Sequence, residues 1–211
     1  MGLKGGHPGR RVPRALDGGA GGAYLRDRDQ DPPMAKLPII VAPDPRLKLK
    51  ARPVARVDAE VRRLMDDLLE TMYAAPGIGL AAPQVGVARR VLVLDVAGKD
   101  DPPSPLRVAN PEILWASAET ARGDEGCLSL PEHYAEVTRP ARVRVRYLDH
   151  ENELREIEAE GTLAACLQHE MDHLDGVLFV DHLSALRRSI ILRKLRKAKK
   201  VETPEPARLR A

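Results

Sequence analysis

One short segment constrains the fold of this chain more than any other: residues 168–173 read QHEMDH and contain the pattern H-E-x-x-H. On a helix, residues four apart lie on one face, one turn from each other, so His169 and His173 can bind one divalent metal ion. Glu170 then lies close to any water on that ion and can accept its proton. No Gly or Pro interrupts residues 162–174, so we predict a helix there. Two ordinary polar histidines on a helix surface are the alternative.

A catalytic metal site of this kind needs a third protein ligand and one open position for water. The residues that follow the motif do not supply it. The extended motif of one metallopeptidase family has a histidine where this chain has Phe179, His182 is out of register, and Glu202 lies in a polar tail. Cys127 is the better candidate, because a thiolate completes a chemically sensible Cys-His-His set. A buried, unreactive side chain is the alternative for Cys127, and a packing or pocket-wall role is our prediction for Cys166.

A third segment, residues 77–86, reads GIGLAAPQVG and is rich in small residues. It is not a phosphate-binding P-loop, because no Gly-Lys-Ser/Thr follows it, and it follows a predicted helix where a dinucleotide-binding loop follows a strand. Gln84 is its one polar side chain. Two interpretations stay open: an amide donor to a developing oxyanion, or a turn in which Gln84 bonds to nearby backbone.

Apolar periodicity predicts helices near both ends of the domain and strands between them, which indicates the α+β class. The predicted helices span Asp58 to about Ala75, about Thr162 to Leu174, and Ser184 to about Lys200; the predicted strands span 90–96, 113–116, 141–148 and 154–159.

The two ends of the chain differ from its middle in composition. Residues 1–33 hold eight of the sixteen glycines, and we expect a flexible extension there, with Met34 as the natural start of translation. A single catalytic domain is expected over 34–200, followed by a flexible tail over 201–211. Residues 34–183 carry 18 basic and 25 acidic side chains, whereas 184–211 carry 10 and 2. Any contact with a polyanion is therefore expected at the C-terminal end.

No apolar run approaches the ~18 residues that a membrane-spanning helix needs, so a membrane protein is excluded. The two cysteines, Cys127 and Cys166, make no disulfide framework and suit a reducing compartment. No secretory signal is visible, and the acidic residues among 1–33 argue against a mitochondrial transit peptide. We expect a cytoplasmic protein.

Together the three segments resemble the peptide deformylase family. Its signatures are G-Φ-G-Φ-A-A-x-Q, E-G-C-Φ-S and H-E-Φ-D-H, where Φ is apolar, and this chain matches every fixed position over 77–84, 125–129 and 169–173. The similarity extends over about 35–200. It implies an α+β fold in which three antiparallel or mixed sheets surround a central metal-binding helix, with a C-terminal helix. It also implies a hydrolase that removes the N-formyl group from the formyl-methionine of new polypeptides and releases formate.

The resemblance implies roles for individual residues. Cys127, His169 and His173 would bind the metal ion, which in the family is usually Fe²⁺ and can be Zn²⁺, Ni²⁺ or Co²⁺, and Glu170 would be the general base and acid. The oxyanion would be held by Gln84 and the backbone N–H of Leu128, while Gly79 would offer backbone hydrogen bonds to the substrate.

Further residues are candidates by their nearness to the motifs. Ile78, Leu128, Ala165 and Cys166 are candidates for the methionine pocket, with an ordinary core role as the alternative. His133 and Tyr134 follow the cysteine segment and are candidates for contact with the bound peptide. Glu125 and Arg139 are expected to form a buried pair that braces the cysteine loop.

The partners follow from the same reasoning. Formyl-methionyl nascent peptides are the expected substrates, and the basic helix 184–200 is either a solvated face or a contact with the ribosome; neither a membrane nor DNA is expected. Two other function classes remain: a metal-dependent peptidase or amidase that cuts other bonds, and a non-enzymatic ribosome- or RNA-binding protein. Phe179, which breaks the extended motif, and Cys127 as the third ligand count against the first class. The intact Glu170 and ligand residues, and the lack of an evident aromatic platform for bases, count against the second.

Overall fold

Three α-helices, seven β-strands and three short 3-10 helices (Pro45–Lys48, Ala82–Val85 and Phe179–His182) form the part of the chain that the structure, a computed structural model, describes: residues 35–98 and 100–202. The helices are α1 (Ala59–Ala74), α2 (Gly161–Leu174) and α3 (Ala185–Glu202), and the strands are β1 (Gly79–Ala81), β2 (Val91–Leu94), β3 (Leu106–Ala116), β4 (Thr120–Cys127), β5 (Leu130–Pro140), β6 (Arg142–Leu148) and β7 (Leu154–Glu160). The predictions for residues 1–33 and for most of the tail, from 203 onward, fall outside the described residues. The α+β class is confirmed.

Helix α1 forms where its apolar periodicity predicts it. The Asp58 carboxylate accepts a hydrogen bond from the Val61 N–H at 3.1 Å and so caps the helix N-terminus. Met65, Leu68 and Met72 of its apolar stripe are fully buried. This stripe packs on the strands that lead into the candidate site.

Five strands form one antiparallel sheet in the order β1-β2-β3-β6-β7. Strand β2 is buried on both faces, which explains why its sequence is apolar at every position. Leu92 and Leu94 belong to the apolar cluster that includes α2 residues, whereas Val91 and Val93 belong to the cluster built around α1. At its β1–β2 end the sheet therefore lies between α1 on one face and α2 on the other.

The second sheet is the hairpin of β4 and β5. Cys127 pairs with Leu130, so residues 128–129 form the tight turn between the strands. Within the described residues we find these two sheets, both antiparallel, and not the three that the family resemblance implies. Residues 35–58, the described part of the chain before α1, make isolated backbone contacts, such as Ile40 N to Gln84 O at 2.8 Å, but form no named strand.

Some strands differ from the sequence predictions. Strand β3 begins at Leu106 and not at Ile113, because Asn110-Pro111 lies inside the strand at an irregularity in its pairing with β6. Strands β1, β4 and β5 were not predicted. Strands β2, β6 and β7 and the three helices lie within a few residues of their predicted bounds.

Helix α3 packs on the body of the domain through Leu195, which joins a buried cluster with Phe179 and Val180. Its basic side chains Arg187, Arg193, Lys194 and Lys197 are exposed. None of the helices in the described part of the chain combines the length and the apolar character needed to cross a membrane.

Candidate active site

Helix α2 carries His169, Glu170 and His173 on its buried side, with exposed fractions of 8%, 4% and 1%. The helix is held there because Leu167, Met171 and Leu174 pack in the core against the five-stranded sheet. A mostly apolar helix thus places three polar side chains in a dry interior, where each needs a partner.

Cys127 reaches these histidines from the end of β4. Its Sγ lies 3.2 Å from Nε2 of His173. One ligand atom from each of Cys127, His169 and His173 lies within 4.8 Å of the other two. The structure therefore brings together the three residues that the sequence singled out as ligand candidates.

The chemistry of this cluster fits a divalent metal ion. One thiol and two imidazoles form a donor set that first-row divalent metals accept. Burial lowers the pKa of His173 well below its ordinary value, which keeps that ring in the neutral form that binds metals. Beside the cluster, Oε2 of Glu170 is buried and has no hydrogen-bond partner among the described residues. A water on a bound ion is the type of partner that this oxygen lacks.

His169 is oriented by a carboxylate. Its Nδ1 lies 2.8 Å from Oε2 of Glu125, so its Nε2 is left to face the cluster. Burial alone would raise the pKa of Glu125, but hydrogen bonds with His169 and Arg139 outweigh it and lower the pKa to about 2. Glu125 is therefore a carboxylate near neutral pH.

Arg139 holds that carboxylate in place. Its Nη2 donates to Glu125 Oε2 at 2.9 Å and its Nη1 donates to Asp172 Oδ2 at 2.9 Å. The arginine side chain is 8% exposed, so the guanidinium is nearly buried between the two acids. The predicted Glu125–Arg139 contact is present. Asp172, which ties the pair to α2 and also meets His182 at 2.7 Å, was not predicted.

Glu170 has the environment of a group that exchanges protons near neutral pH. Burial raises its pKa to about 7. Its carboxyl group lies against Gly79, where a Cβ atom would come within 2.8 Å of Glu170 Cδ and 2.9 Å of Cys166 Sγ. The space that Glu170 occupies exists because residue 79 has no side chain.

The contacts of Gln84 fit both interpretations of its segment. Its Oε1 accepts a hydrogen bond from the Ala81 N–H at 2.8 Å, as a structural turn requires. This fixes the amide so that Nε2 points to Cys127 Sγ at 3.5 Å and to Ser129 Oγ at 3.3 Å. An amide donor is thus aimed at the metal-ligand cluster. No role was predicted for Ser129. Its position in the E-G-C-Φ-S match is the signal that could have marked it as a site residue.

The cluster opens into a cleft of about 490 Å³. The cleft is lined by the predicted candidates Ile78, Gly79, Leu128, His133, Tyr134, Ala165 and Cys166, and also by Asp124, Glu132 and Thr162, for which no prediction was made. Cys166 is 7% exposed, and burial raises its pKa, so it forms part of the wall as a neutral thiol.

Comparisons with known proteins match the part of the chain that contains this cluster and cleft. The family model described as polypeptide deformylase matches residues 36–189. A peptide deformylase of Methylocella silvestris is 62% identical over 174 residues, which are 81% of this chain and 89% of the relative. A crystal structure of peptide deformylase from Ehrlichia chaffeensis has a TM-score of 0.76 and 41% identity, covering 80% of this chain and 99% of that chain. Another from that organism, in complex with actinonin, has a TM-score of 0.76 and 42% identity, over 79% and 99% of the two chains.

Proposed function

The chain belongs to the polypeptide deformylase family, and on that premise we propose the roles of the residues in its cleft. It is a metal-dependent hydrolase that removes the N-formyl group from the N-terminal formyl-methionine of newly synthesised polypeptides and releases formate.

The metal ligands in this proposal are Cys127 Sγ and Nε2 of His169 and His173. The mutual distances within 4.8 Å support this set, as does the Glu125 contact that leaves Nε2 of His169 available. Fe²⁺ is the first candidate from the family resemblance, and the same donors accept Zn²⁺, Ni²⁺ and Co²⁺. When bound, such an ion lowers the pKa of a coordinated water and polarises the formyl carbonyl.

Glu170 is the proposed general base and acid. Its unpartnered Oε2 accepts a proton from the attacking water and later delivers it to the departing amine. The pKa of about 7 supports both transfers, because the group then loses and regains a proton at little cost near neutral pH.

The negative charge that develops on the formyl oxygen is proposed to be met by Gln84 Nε2 and by the backbone N–H of Leu128. The fixed amide of Gln84 and the position of Leu128 in the β4–β5 turn beside Cys127 support this. Gly79 is proposed to hydrogen-bond the substrate backbone, and Ile78 and Cys166 to line the methionine pocket. The same cleft is proposed to bind actinonin, as the relative from Ehrlichia chaffeensis does.

A single observation carries the proposal: a thiol and two imidazoles from distant parts of the chain converge beside a buried carboxylate. The test is formate release from formyl-Met-Ala-Ser by protein prepared anaerobically with Fe²⁺. We expect release by the wild type and a loss of about 10²–10⁴-fold in Glu170→Ala. Equal release by that variant would overturn the role of Glu170, and cleavage of an internal amide instead would favour a different amidase.

The ribosome is a proposed partner through α3. The exposed side chains of Arg187, Arg193, Lys194 and Lys197 support it, because Leu195 is buried in the core while these cations stay at the surface. Cosedimentation with ribosomes should weaken as salt rises and should be lost on deletion after Leu183. An Arg193→Glu, Lys197→Glu double variant leaves Leu195 in place and should lose binding too. Binding that ignores salt and both changes would contradict the proposal.

The cytoplasm is the proposed location, since a thiol ligand and a second free cysteine, Cys166, suit a reducing compartment. Residues 34–200 are the proposed catalytic domain, because the elements that build the cleft lie within it.

A further inference from the structure

The short 3-10 helix Phe179–His182 lies between α2 and α3, and it begins and ends with two residues that the sequence excluded as metal ligands. Phe179 is 1% exposed, whereas the side chain of His182 reaches the surface and is 35% exposed. Neither residue belongs to the cleft lining, so contact with the substrate is not their role. Both residues nevertheless contact groups that lead to His169.

The ring of Phe179 packs on the imidazole of His169. The two ring centroids lie 6.4 Å apart and the ring planes differ by 22°, so the rings are stacked with an offset. Phe179 is fixed in turn by a buried apolar cluster that includes Leu130 of β5 and Leu195 of α3, and Cys127 packs against the same cluster. A hydrogen bond at Nδ1 directs an imidazole within its own plane, whereas a stacked neighbour limits its tilt out of that plane. Phe179 therefore supplies a restraint that the hydrogen bond of His169 does not.

His182 is connected with the same imidazole through a chain of hydrogen bonds. Its Nε2 lies 2.7 Å from Oδ2 of Asp172, and because a carboxylate only accepts, this ring nitrogen carries the hydrogen and donates it. The same Oδ2 accepts from Nη1 of Arg139 at 2.9 Å. Arg139 also donates to the Glu125 carboxylate, which lies 2.8 Å from Nδ1 of His169. A ring at the surface is thus linked with a buried ligand of the proposed metal site.

The weak point of this chain is its outer end. The side chain of Asp172 is 25% exposed, whereas those of Arg139 and Glu125 are 8% and 10% exposed. Without the donor at His182, the Asp172 carboxylate is free to turn toward water. The guanidinium then keeps only its contact with Glu125, and that contact has one restraint fewer.

We propose that Phe179 and His182 are positioning residues for the metal ligand His169. Phe179 limits the tilt of the imidazole, and His182 fixes Asp172 at the outer end of the hydrogen-bond chain that reaches its Nδ1. This inference rests on the ligand set of the proposed function, and it adds the residues that keep one ligand in place.

The test of His182 measures how fast a chelator removes Zn²⁺ from the loaded protein. Loss of a direct partner of a metal ligand costs about 10–100-fold in affinity or activity, and His182 acts through further residues, so we expect His182→Leu to lose the ion about fivefold faster. His182→Gln keeps an N–H that can donate to Asp172 and should stay near the wild-type rate. His150→Leu is the matched control, because it removes an exposed histidine between β6 and β7, outside the cleft and the hydrogen-bond chain.

The test of Phe179 uses Phe179→Met, which keeps most of the apolar volume but has no flat ring. We expect faster loss of Zn²⁺ and an altered visible spectrum of the Co²⁺-loaded protein, since this spectrum reports the geometry of the ligands. Leu195→Met changes the same apolar cluster from α3 and should leave both readouts unchanged. If Phe179→Met does not fold, Phe179→Leu takes its place. The Co²⁺ spectrum of His182→Leu should change as well, and that of His182→Gln should match the wild type.

Each outcome decides one point. A wild-type rate and spectrum in His182→Leu would overturn the role of His182, and the same result in the Phe179 variant would overturn the role of Phe179. Equal defects in His182→Gln and His182→Leu would also contradict the proposal, because the hydrogen bond to Asp172 would then not be the cause. Wild-type protein that binds no metal ion, or that releases no formate from formyl-Met-Ala-Ser, would contradict the proposed function itself.

Discussion

At the scale of single residues, the site depends on the lack of a side chain at Gly79. Glu170 lies where a Cβ on residue 79 would intrude, and it lies there without solvent to move into. The carboxyl group has little freedom, which keeps its unpartnered oxygen directed at the metal-ligand cluster. A change at residue 79 therefore acts on catalysis through the position of Glu170.

Gly79→Ala should displace the Glu170 carboxyl group and lower kcat for formate release by about 100-fold or more, since misplacement of a catalytic group by about 1 Å has an effect of this size. Metal content should stay near one ion per chain, because the ligands are not touched. The matched control is Gly123→Ala on β4, where an added Cβ meets no atom within 4 Å. Near-wild-type kcat in Gly79→Ala would show that Glu170 is free to adjust.

Arg139→Ala tests the charge network behind His169. It leaves Glu125 and Asp172 without their cation in a nearly buried setting, so we expect the metal-loaded protein to lose about 3–5 kcal/mol of unfolding free energy in urea. Formate release should fall as well, because Glu125 would hold His169 less firmly.

Arg122→Ala is the control for that variant. Arg122 pairs with Glu136 at 3.8 Å on an exposed surface, and its loss should change stability little. Wild-type stability and activity in Arg139→Ala would contradict a bracing role for the network.

Sequence spacing predicted the residues whose chemistry is encoded locally. His169, Glu170 and His173 follow from one helical motif. Cys127 was a candidate with a buried, unreactive side chain as its alternative, and the family resemblance assigned it the ligand role. The partners that come from other elements were harder to predict. Asp172 shares the helix with the ligands, but its contact with Arg139 depends on how β5 meets α2. No spacing along the chain specifies that contact.

At the scale of elements, the hairpin β4–β5 carries Cys127 and was not predicted. Strand β4 reads TARGDEGC and is mostly exposed, so it shows neither apolar alternation nor a buried run. Its turn, Leu128-Ser129, lacks the Asn-Gly or Asp-Gly signal of a two-residue hairpin. The buried apolar residues of the hairpin, Leu130 and Val137, lie seven positions apart on β5 and so form no regular alternation that would reveal the strand. The buried helices and β2 leave a strong trace because burial selects apolar side chains.

The end of α2 gives a prediction at this scale. Gly176 has φ of +73° and packs so closely on residue 48 that a Cβ would lie 2.7 Å from the Lys48 carbonyl carbon. Gly176→Ala combines a left-handed backbone with a steric clash and should destabilise the protein by about 2–4 kcal/mol in urea unfolding.

The matched variant is Gly161→Ala at the start of α2. It has φ of +58° but open space around the site, so only the backbone cost of about 1–2 kcal/mol should appear. Equal losses in the two variants would mean that contact with Lys48 adds nothing.

At the scale of the whole molecule, the proposed metal site joins two elements that lie far apart in the sequence. Cys127 comes from the two-stranded hairpin and the histidines from the helix that covers the five-stranded sheet. The α+β class could be predicted from strands in the middle and helices at the ends. The contact of the hairpin with α2 could not be predicted from such patterns, because it depends on buried ion pairs between the two elements and on the site residues. The family resemblance alone implied that contact.

The most direct test of the account is the coordination of the bound ion. X-ray absorption on the Zn²⁺-loaded protein should show one sulfur at about 2.3 Å and two nitrogens at about 2.0–2.1 Å, with one ion per chain. Cys127→Ser should remove the sulfur shell and Cys166→Ser should leave it unchanged. A sulfur shell that survives Cys127→Ser, or an ion bound without any sulfur in the wild type, would contradict the site on which the proposed mechanism depends.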